Sequence, residues 1–479
     1  MRDKALAQVP WVLRLQAVSK ALATWLVIVV MAWAPFPLGG AIPWAAGLQE
    51  MLIGLCCILW LLGTVGQANY GNGSHKVLAI PFLLCAGVLI WAVLQILTIA
   101  PPSWAHPLWR IAADTLEVPV GGTISINPWR TETEILKLAS YVAAGWLAFQ
   151  MATLAEVADR LTICIIVITA AYALYAIILE LSGYSQTDLF YAVPVRHTYI
   201  AGPFMLHNSF ATYCGLGTLI ATTKVFSAGS ESVITSRGWK QFIFTALQFC
   251  LARGALYIIS AFLCFAAVVA SASRLGFVST MGGLAALALG ACLIKGANSV
   301  RRWSAVGISC IVLPIAILII GQGDTLITRV GMLFSSDAAD VVRPVLWSAA
   351  WRMIEGSPWI GLGLGTFEDA YPMYATNVFP FVMDKAHSDY LEFAAGVGLP
   401  AAIVWWGAFT WFTVRCFQGV RERRRNRSYA LVGGAASILI GMHSCADFSL
   451  QLPAVALLYA ILLGIGVAQS YSSRRKVFS

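Results

Sequence analysis

Arg274 sits in a short polar break, Ser271 to Gly276 (SASRLG), between two apolar runs, and the nearest acidic residues are Glu231 and Asp324. A desolvated guanidinium without a partner costs several kcal/mol, so the residue either meets an anion or reaches out to water or lipid phosphate. A second arginine, Arg343, belongs to a predicted helix over Asp340 to Gly356, with Pro344 in its first turn and Gly356 at its end. At 100° per residue Arg343, Trp347, Trp351 and Ile354 share a stripe that should face the body of the protein, while Arg352 falls beside Glu355 as a surface ion pair. Ala386-His-Ser-Asp-Tyr390 opens the next apolar run: His387 can take a proton near neutral pH, and Asp389 and Glu392 share another face of the same helix. Arg196 and His197 precede Gly202-Pro203, and His207-Asn208 stands at the start of another run. Asn208 can cap that helix and leave outward-facing amides suited to phosphate, whereas His207 also reads as a plain interfacial histidine. His443 and Asp447 form a further polar pair at i and i+4, read as mostly structural.

Other chemistries fit less well. Pro358 to Phe367 (PWIGLGLGTF) is rich in glycine but lacks the Lys-Ser/Thr of a phosphate loop and the flanking pattern of a dinucleotide site, so its glycines more simply let the backbone pass close to a neighbour or a substrate. No two histidines lie at metal-ligand spacing in the polar segments, and no Cys-x-x-Cys occurs, so neither a metal nor another cofactor is expected. The eleven cysteines fall almost entirely in apolar runs, and none lies between Gly321 and Leu399, so no disulfide supports that stretch.

The elements that must hold these residues follow from composition. With 59% hydrophobic and 11% charged residues, the chain reads as an all-α polytopic membrane protein. A hydrocarbon core of about 30 Å takes roughly 20 apolar residues of helix, which predicts about twelve spans. They fall near 21–39, 44–66, 77–99, 135–153, 160–182, 206–224, 255–273, 275–294, 303–320, 388–414, 428–446 and 450–470. The N-terminus lacks a small-residue cleavage site and reads as an uncleaved cytoplasmic segment.

Basic residues concentrate on one set of connections, including the run Arg421 to Arg427, so the net charge of +9 marks topology and anionic lipid contact rather than nucleic acid. That orientation turns the long polar stretch between spans nine and ten outward. The three Trp and five Phe of Gly321 to Leu399 argue for a folded, partly helical cap rather than a disordered loop. The organisation expected is therefore a bundle over 1–320, a cap over 321–387, and further spans with a cytoplasmic tail over 388–479. Gly238 to Arg253 reads as an amphipathic surface helix, and Ala100 to Glu134 as a proline-broken loop with strand-like alternation.

In order along the chain, SINPWRTET, GPFMLHNSFATY, SASRLGF, RPVLWSAAWRMIEGSPWIGLGLGTF and AHSDYLEFAAGVGLP resemble the O-antigen ligase and polymerase superfamily of bacterial envelope glycosyltransferases, over about 123–410. The resemblance implies a metal-independent, inverting transfer of a glycan from a polyprenyl (undecaprenyl) diphosphate to an acceptor hydroxyl, at the outer face of the inner membrane. It implies Arg196, Arg274 and Arg343 as diphosphate-binding residues and His387 as the catalytic histidine, with Asp389 beside it and His207, Asn208, Arg352 and Glu392 in support. Guanidinium forks suit phosphate oxygens and the charge that grows on a leaving diphosphate. Two departures stand out: the acidic residue common nine positions after the histidine is Gly396 here, and the asparagine common directly after it is Ser388.

The implied products are O-antigen, lipopolysaccharide or exopolysaccharide. A polymerase would use a second lipid-linked glycan as acceptor, a ligase lipid A core, and a protein O-oligosaccharyltransferase a protein hydroxyl; a chain-length regulator would be a natural partner. The competing classes are a solute transporter and a non-catalytic scaffold. A transporter would carry ionisable residues or broken helices near the bilayer midplane and an internal repeat, and the sequence shows neither. A scaffold would leave the outer arginines without a purpose.

Overall fold

A computed structural model describes residues 11–65, 74–191, 199–233, 253–292, 339–376 and 382–471, with isolated positions 244 and 248. The regular elements among them are helical. The long ones are α1 (Trp11–Trp33), α2 (Pro43–Leu62), α3 (Ser74–Ile96), α5 (Pro128–Met151), α6 (Ala155–Ser182), α8 (His207–Val233), α9 (Arg253–Ala270) and α10 (Arg274–Cys292), followed by α14 (Leu399–Glu422), α15 (Arg427–His443) and α16 (Pro453–Ala468). Shorter helices are α4 (Leu108–Leu116), α7 (Gln186–Phe190), α11 (Ala339–Gly356), α12 (Phe367–Tyr374) and α13 (Asp389–Val397).

Among the described residues, α1, α2, α6, α10 and the 79–96 part of α3 are long and apolar enough to cross a membrane, and Gly254–Ala270 and Pro453–Ala468 are shorter apolar helices. The other long helices lie where spans are expected. The expected ninth span, the amphipathic segment from Gly238, Arg196 and His197 lie outside the described residues. Two expectations change. The single span over 388–414 is two helices, broken at Gly398 (φ +82°), where a Cβ would collide with the Trp359 carbonyl; Pro400 then starts α14 in the first turn, where a missing N–H costs nothing. The alternation in 100–134 makes no strand among the described residues: the segment forms α4 and then runs through bends to Asn127, whose side chain caps α5 by accepting from Arg130 N at 3.2 Å.

Besides a small cluster that joins Cys85 and Val88 of α3 to Trp405 and Ala408 of α14, two larger hydrophobic cores result. The larger joins α1, α2, α5, α6, α8, α9, α10, α14, α15 and α16, and small residues let its helices approach closely: Gly433 meets Gly466, and Gly145 meets Ala460. The smaller lies in the cap, where Leu346, Ala349, Ala350, Met353 and Ile354 of α11 pack on Leu362, Phe367, Ala370 and Ala394. That face differs from the expected stripe, because Trp351 is 53% exposed while the small and aliphatic residues beside it do the packing.

The cap is tied to the bundle through Gln95, at the end of α3 and fully buried. Its Nε2 donates to Ile360 O (2.7 Å) and Gly396 O (2.9 Å), its Oε1 accepts from Leu364 N (3.2 Å), and its carbonyl accepts from Ser125 N (2.9 Å). The glycine-rich turn thus passes close to a neighbouring backbone: Gly363, at φ +109°, lies against Ser125, where no side chain would fit. Arg130 adds a second clamp, with Nη1 on Glu368 (2.6 Å) and Nε on Asp369 (3.1 Å).

Candidate active site

His387 stands just before α13 with φ +52°, a backbone conformation that costs a non-glycine residue of order 1–3 kcal/mol and persists only where its surroundings hold it. They do so on each side. Glu392, one turn into α13, accepts from Ala386 N at 2.7 Å, and its other oxygen lies 3.7 Å from Lys385 Nζ. Trp347 Nε1 donates to the His387 carbonyl at 3.2 Å. Ser388 caps α13 by accepting from Leu391 N, and its hydroxyl faces Ser444 O, each at 3.4 Å. Glu392 therefore positions the histidine through the backbone.

The imidazole faces Asp447, in the turn between α15 and α16. His387 Nδ1 is 3.7 Å from Asp447 Oδ1, an ion-pair separation too long for a hydrogen bond, and its ring meets Phe448 edge-on at 4.8 Å. On the other side His443 Nε2 is 4.0 Å from Asp447 Oδ2. One fully buried carboxylate thus lies between two imidazoles. Burial pushes the Asp447 carboxyl up, but His387, His443 and the Phe448 N–H outweigh it and hold it below the usual carboxylate range.

Arg343 belongs to the same group. It lies one turn before Trp347 on α11, close enough for its charge to act on His443. Arg343 Nε, His387 Nδ1, His443 Nε2 and Asp447 Oδ2 are buried without a hydrogen-bond partner. Buried polar atoms are normally satisfied, and unsatisfied ones in one place mark a site held ready for something else.

A polar chain connects this group to the start of α8 and the hairpin before α10. His443 Nδ1 lies 3.2 Å from Ser449 Oγ, which is 3.3 Å from both Ser209 and Thr212 hydroxyls. Asn208 Oδ1 accepts from Ser273 Oγ at 2.7 Å, and His207 Nδ1 pairs with Ser271 O at 2.9 Å while its ring stacks on Tyr199. Asn208 thus braces the hairpin rather than capping α8, and Ser273 caps α10 by accepting from Gly276 N. Arg274 follows directly, half-buried at the first residue of α10.

Asp389 is placed differently from His387. Its Oδ2 accepts from Ser444 Oγ at 2.7 Å, and its backbone N–H is shared by Ser444 O and Asp447 O, both at 3.1 Å. It fixes α13 to the α15–α16 turn. The expected Arg352–Glu355 pair does not form: Arg352 Nε donates to Tyr374 O at 3.0 Å, and Glu355 accepts from Trp351 Nε1 at 2.7 Å. The rotation of α11 that exposes Trp351 brings it over Glu355 and turns Arg352 toward α12.

Residues 259–406 match the family model described as O-antigen ligase. The match places this segment in the O-antigen ligase and polymerase superfamily and supports a glycosyl-transferring role in polysaccharide biosynthesis at a membrane. No curated protein matches the chain. The O-antigen ligase segment contains Arg274, Arg343, Arg352, His387, Asp389 and Glu392, whereas His207 and Asn208 precede it and His443 and Asp447 follow it. The sequence pairs Asp447 with His443 as a mostly structural contact and does not bring it to His387. Its local signal, a histidine at i−4, pointed to His443, and its approach to His387 is a tertiary contact with no sequence signature.

A cavity of about 470 Å³ is lined by Asp389, Tyr390, Glu392 and Phe393 of α13 but by neither His387 nor Arg343. Its walls are mostly apolar, and Arg343, His387, His443 and Asp447 are not among them.

Proposed function

We propose that the protein transfers a glycan from a polyprenyl diphosphate to an acceptor hydroxyl on the outer face of the inner membrane, with His387 as general base. The observation that carries this reading is the approach of His387 Nδ1 to the anionic Asp447, which favours the tautomer protonated at Nδ1 and leaves Nε2 to take the acceptor's proton. The acceptor oxygen then attacks the anomeric carbon, the bond from that carbon to the diphosphate oxygen breaks, and the configuration inverts. Arg343, with an unpaired Nε, and Arg274, on the adjoining hairpin, are suited to the charge that develops on the departing diphosphate; Arg196 is proposed to join them. No step in this scheme calls for a metal.

The acceptor decides between polymerase, ligase and protein-directed transfer. Purified protein is incubated with a polyprenyl-diphosphate-linked glycan, with and without lipid A core. A ladder without added acceptor identifies a polymerase, and a single capped product that needs lipid A core identifies a ligase. Absence of any new glycosidic product with either acceptor contradicts both lipid-acceptor readings, and a glycosylated protein would point to the third.

A further inference from the structure

Arg343, Trp347, Trp351 and Glu355 follow one another along α11 at intervals of four residues. Each step adds about 40° of rotation and about 6 Å of rise, so the line winds slowly round the helix, from the half-buried Arg343 and Trp347 to the exposed Trp351 and Glu355. It begins at the candidate active site, where Arg343 Nε is unpaired and Trp347 Nε1 donates to the His387 carbonyl at 3.2 Å. From Arg343 to Trp351 it covers about 12 Å, the span of a few linked pyranose rings.

Trp351 is 53% exposed, yet its indole is held in place: Nε1 donates to Glu355 Oε1 at 2.7 Å. This bond occupies the polar edge of the ring and leaves its face, and the carboxylate keeps lone pairs for further donors. The electron-rich face of an aromatic ring attracts the positive ends of C–H bonds, and the carboxylate at its edge accepts from hydroxyls. A pyranose offers both, a face of C–H bonds and a rim of hydroxyls.

Other occupants match less well. Tryptophan also suits a membrane interface, but here its N–H is tied to a carboxylate, and the exposed residues that share its side of α11 are Pro344, Ser348 and Glu355. A charged carboxylate is costly to carry into hydrocarbon. A phosphate would meet Glu355 as a like charge.

We infer that Trp351 is a stacking platform for a sugar of the donor glycan, a few residues from the diphosphate, with Glu355 accepting from one of its hydroxyls. The identity of the glycan as donor rests on the proposed transfer. Trp351 is then a specificity-determining residue, because a donor with several sugars reaches it and a donor with one does not.

The test is transfer by the full chain in lipid nanodiscs, comparing a polyprenyl diphosphate that carries one sugar with the same carrier bearing an oligosaccharide repeat unit. Trp351→Ala should lower kcat/KM for the oligosaccharide donor about 2- to 10-fold relative to the one-sugar donor, the range for one aromatic contact. Trp351→Tyr, which keeps a ring, should recover most of that ratio, and Trp25→Ala, at a similarly exposed position of α1 (56%), should leave it unchanged. If Trp351→Ala slows both donors equally, or neither, the platform is overturned. If wild type forms no product with either donor, the transfer reading fails separately, and fluorine NMR of the full chain labelled with 5-fluorotryptophan decides the platform. The oligosaccharide released from the donor by mild acid should shift the resonance that Trp351→Tyr removes. A resonance that the sugar leaves unmoved and a spin-labelled lipid broadens marks an interfacial anchor and overturns the inference.

Discussion

Gln95 and Asp447 are both fully buried polar residues at the junction of bundle and cap, and their surroundings are organised in opposite ways. Around Gln95 each side-chain polar atom has a backbone partner, and the result is a rigid seat for the glycine-rich turn. Around Asp447 four polar atoms from four residues have none, and the nearest charged groups stop at 3.7 and 4.0 Å. A satisfied network adds stability and fixes geometry, whereas an unsatisfied one costs stability and persists where its groups are needed for something else. The first region is thus read as scaffold and the second as machinery.

Four experiments test whether the two regions differ in this way. His387→Ala should lower glycan transfer by roughly 10²–10⁴-fold, the usual contribution of a general base, with a melting temperature near that of wild type; transfer within about threefold of wild type would place the base elsewhere. Arg343→Ala should lower transfer by roughly 10²–10³-fold, as for loss of one donor to a developing charge, and Arg343→Lys should recover only part because it cannot make a bidentate contact. Full recovery by lysine would mean that charge alone matters.

Gln95→Leu tests the scaffold. It leaves Ile360 O, Gly396 O and Leu364 N without their side-chain partner, at a cost on the order of 3 kcal/mol, read as a lower melting temperature with turnover per folded molecule retained. A loss of turnover without a loss of stability would move Gln95 into the machinery. The smallest effect concerns pH. Because the folded pKa of Asp447 is depressed, its ionised form contributes stability that is fully present above its unfolded value of about 3.9 and is lost as pH falls through the folded value. The difference in melting temperature between wild type and Asp447→Asn should therefore be larger at pH 6 than at pH 3; a difference that grows toward acid would mean that burial dominates instead.

The scaffold was more legible in the sequence than the machinery. Proline and glycine punctuation places α11 within one residue of the expected start, because Pro344 and Gly356 act locally. The break at Gly398 was equally local, but Gly-Leu-Pro lies inside an apolar run whose length argues for one continuous span. On α11 the expected stripe holds at Ile354 but not at Trp351, because Ala349 and Ala350 let the cap core approach on the neighbouring face. Arg343 and His387 carried local signals and family resemblance together. Gln95 carries neither, and the local signal of Asp447 points to His443: a glutamine near a span end and an aspartate four residues after a histidine meet Ile360, Gly396 and His387 only through the tertiary fold.

Whether Asp447 acts through His387 is decided by a double-mutant cycle on transfer rate. Asp447→Asn, His387→Ala and the double variant are compared with wild type in the purified transfer assay. Asp447→Asn should slow transfer, and the double variant should be no slower than His387→Ala alone. If the two losses multiply, Asp447 acts independently of the imidazole and the proposed pair is contradicted.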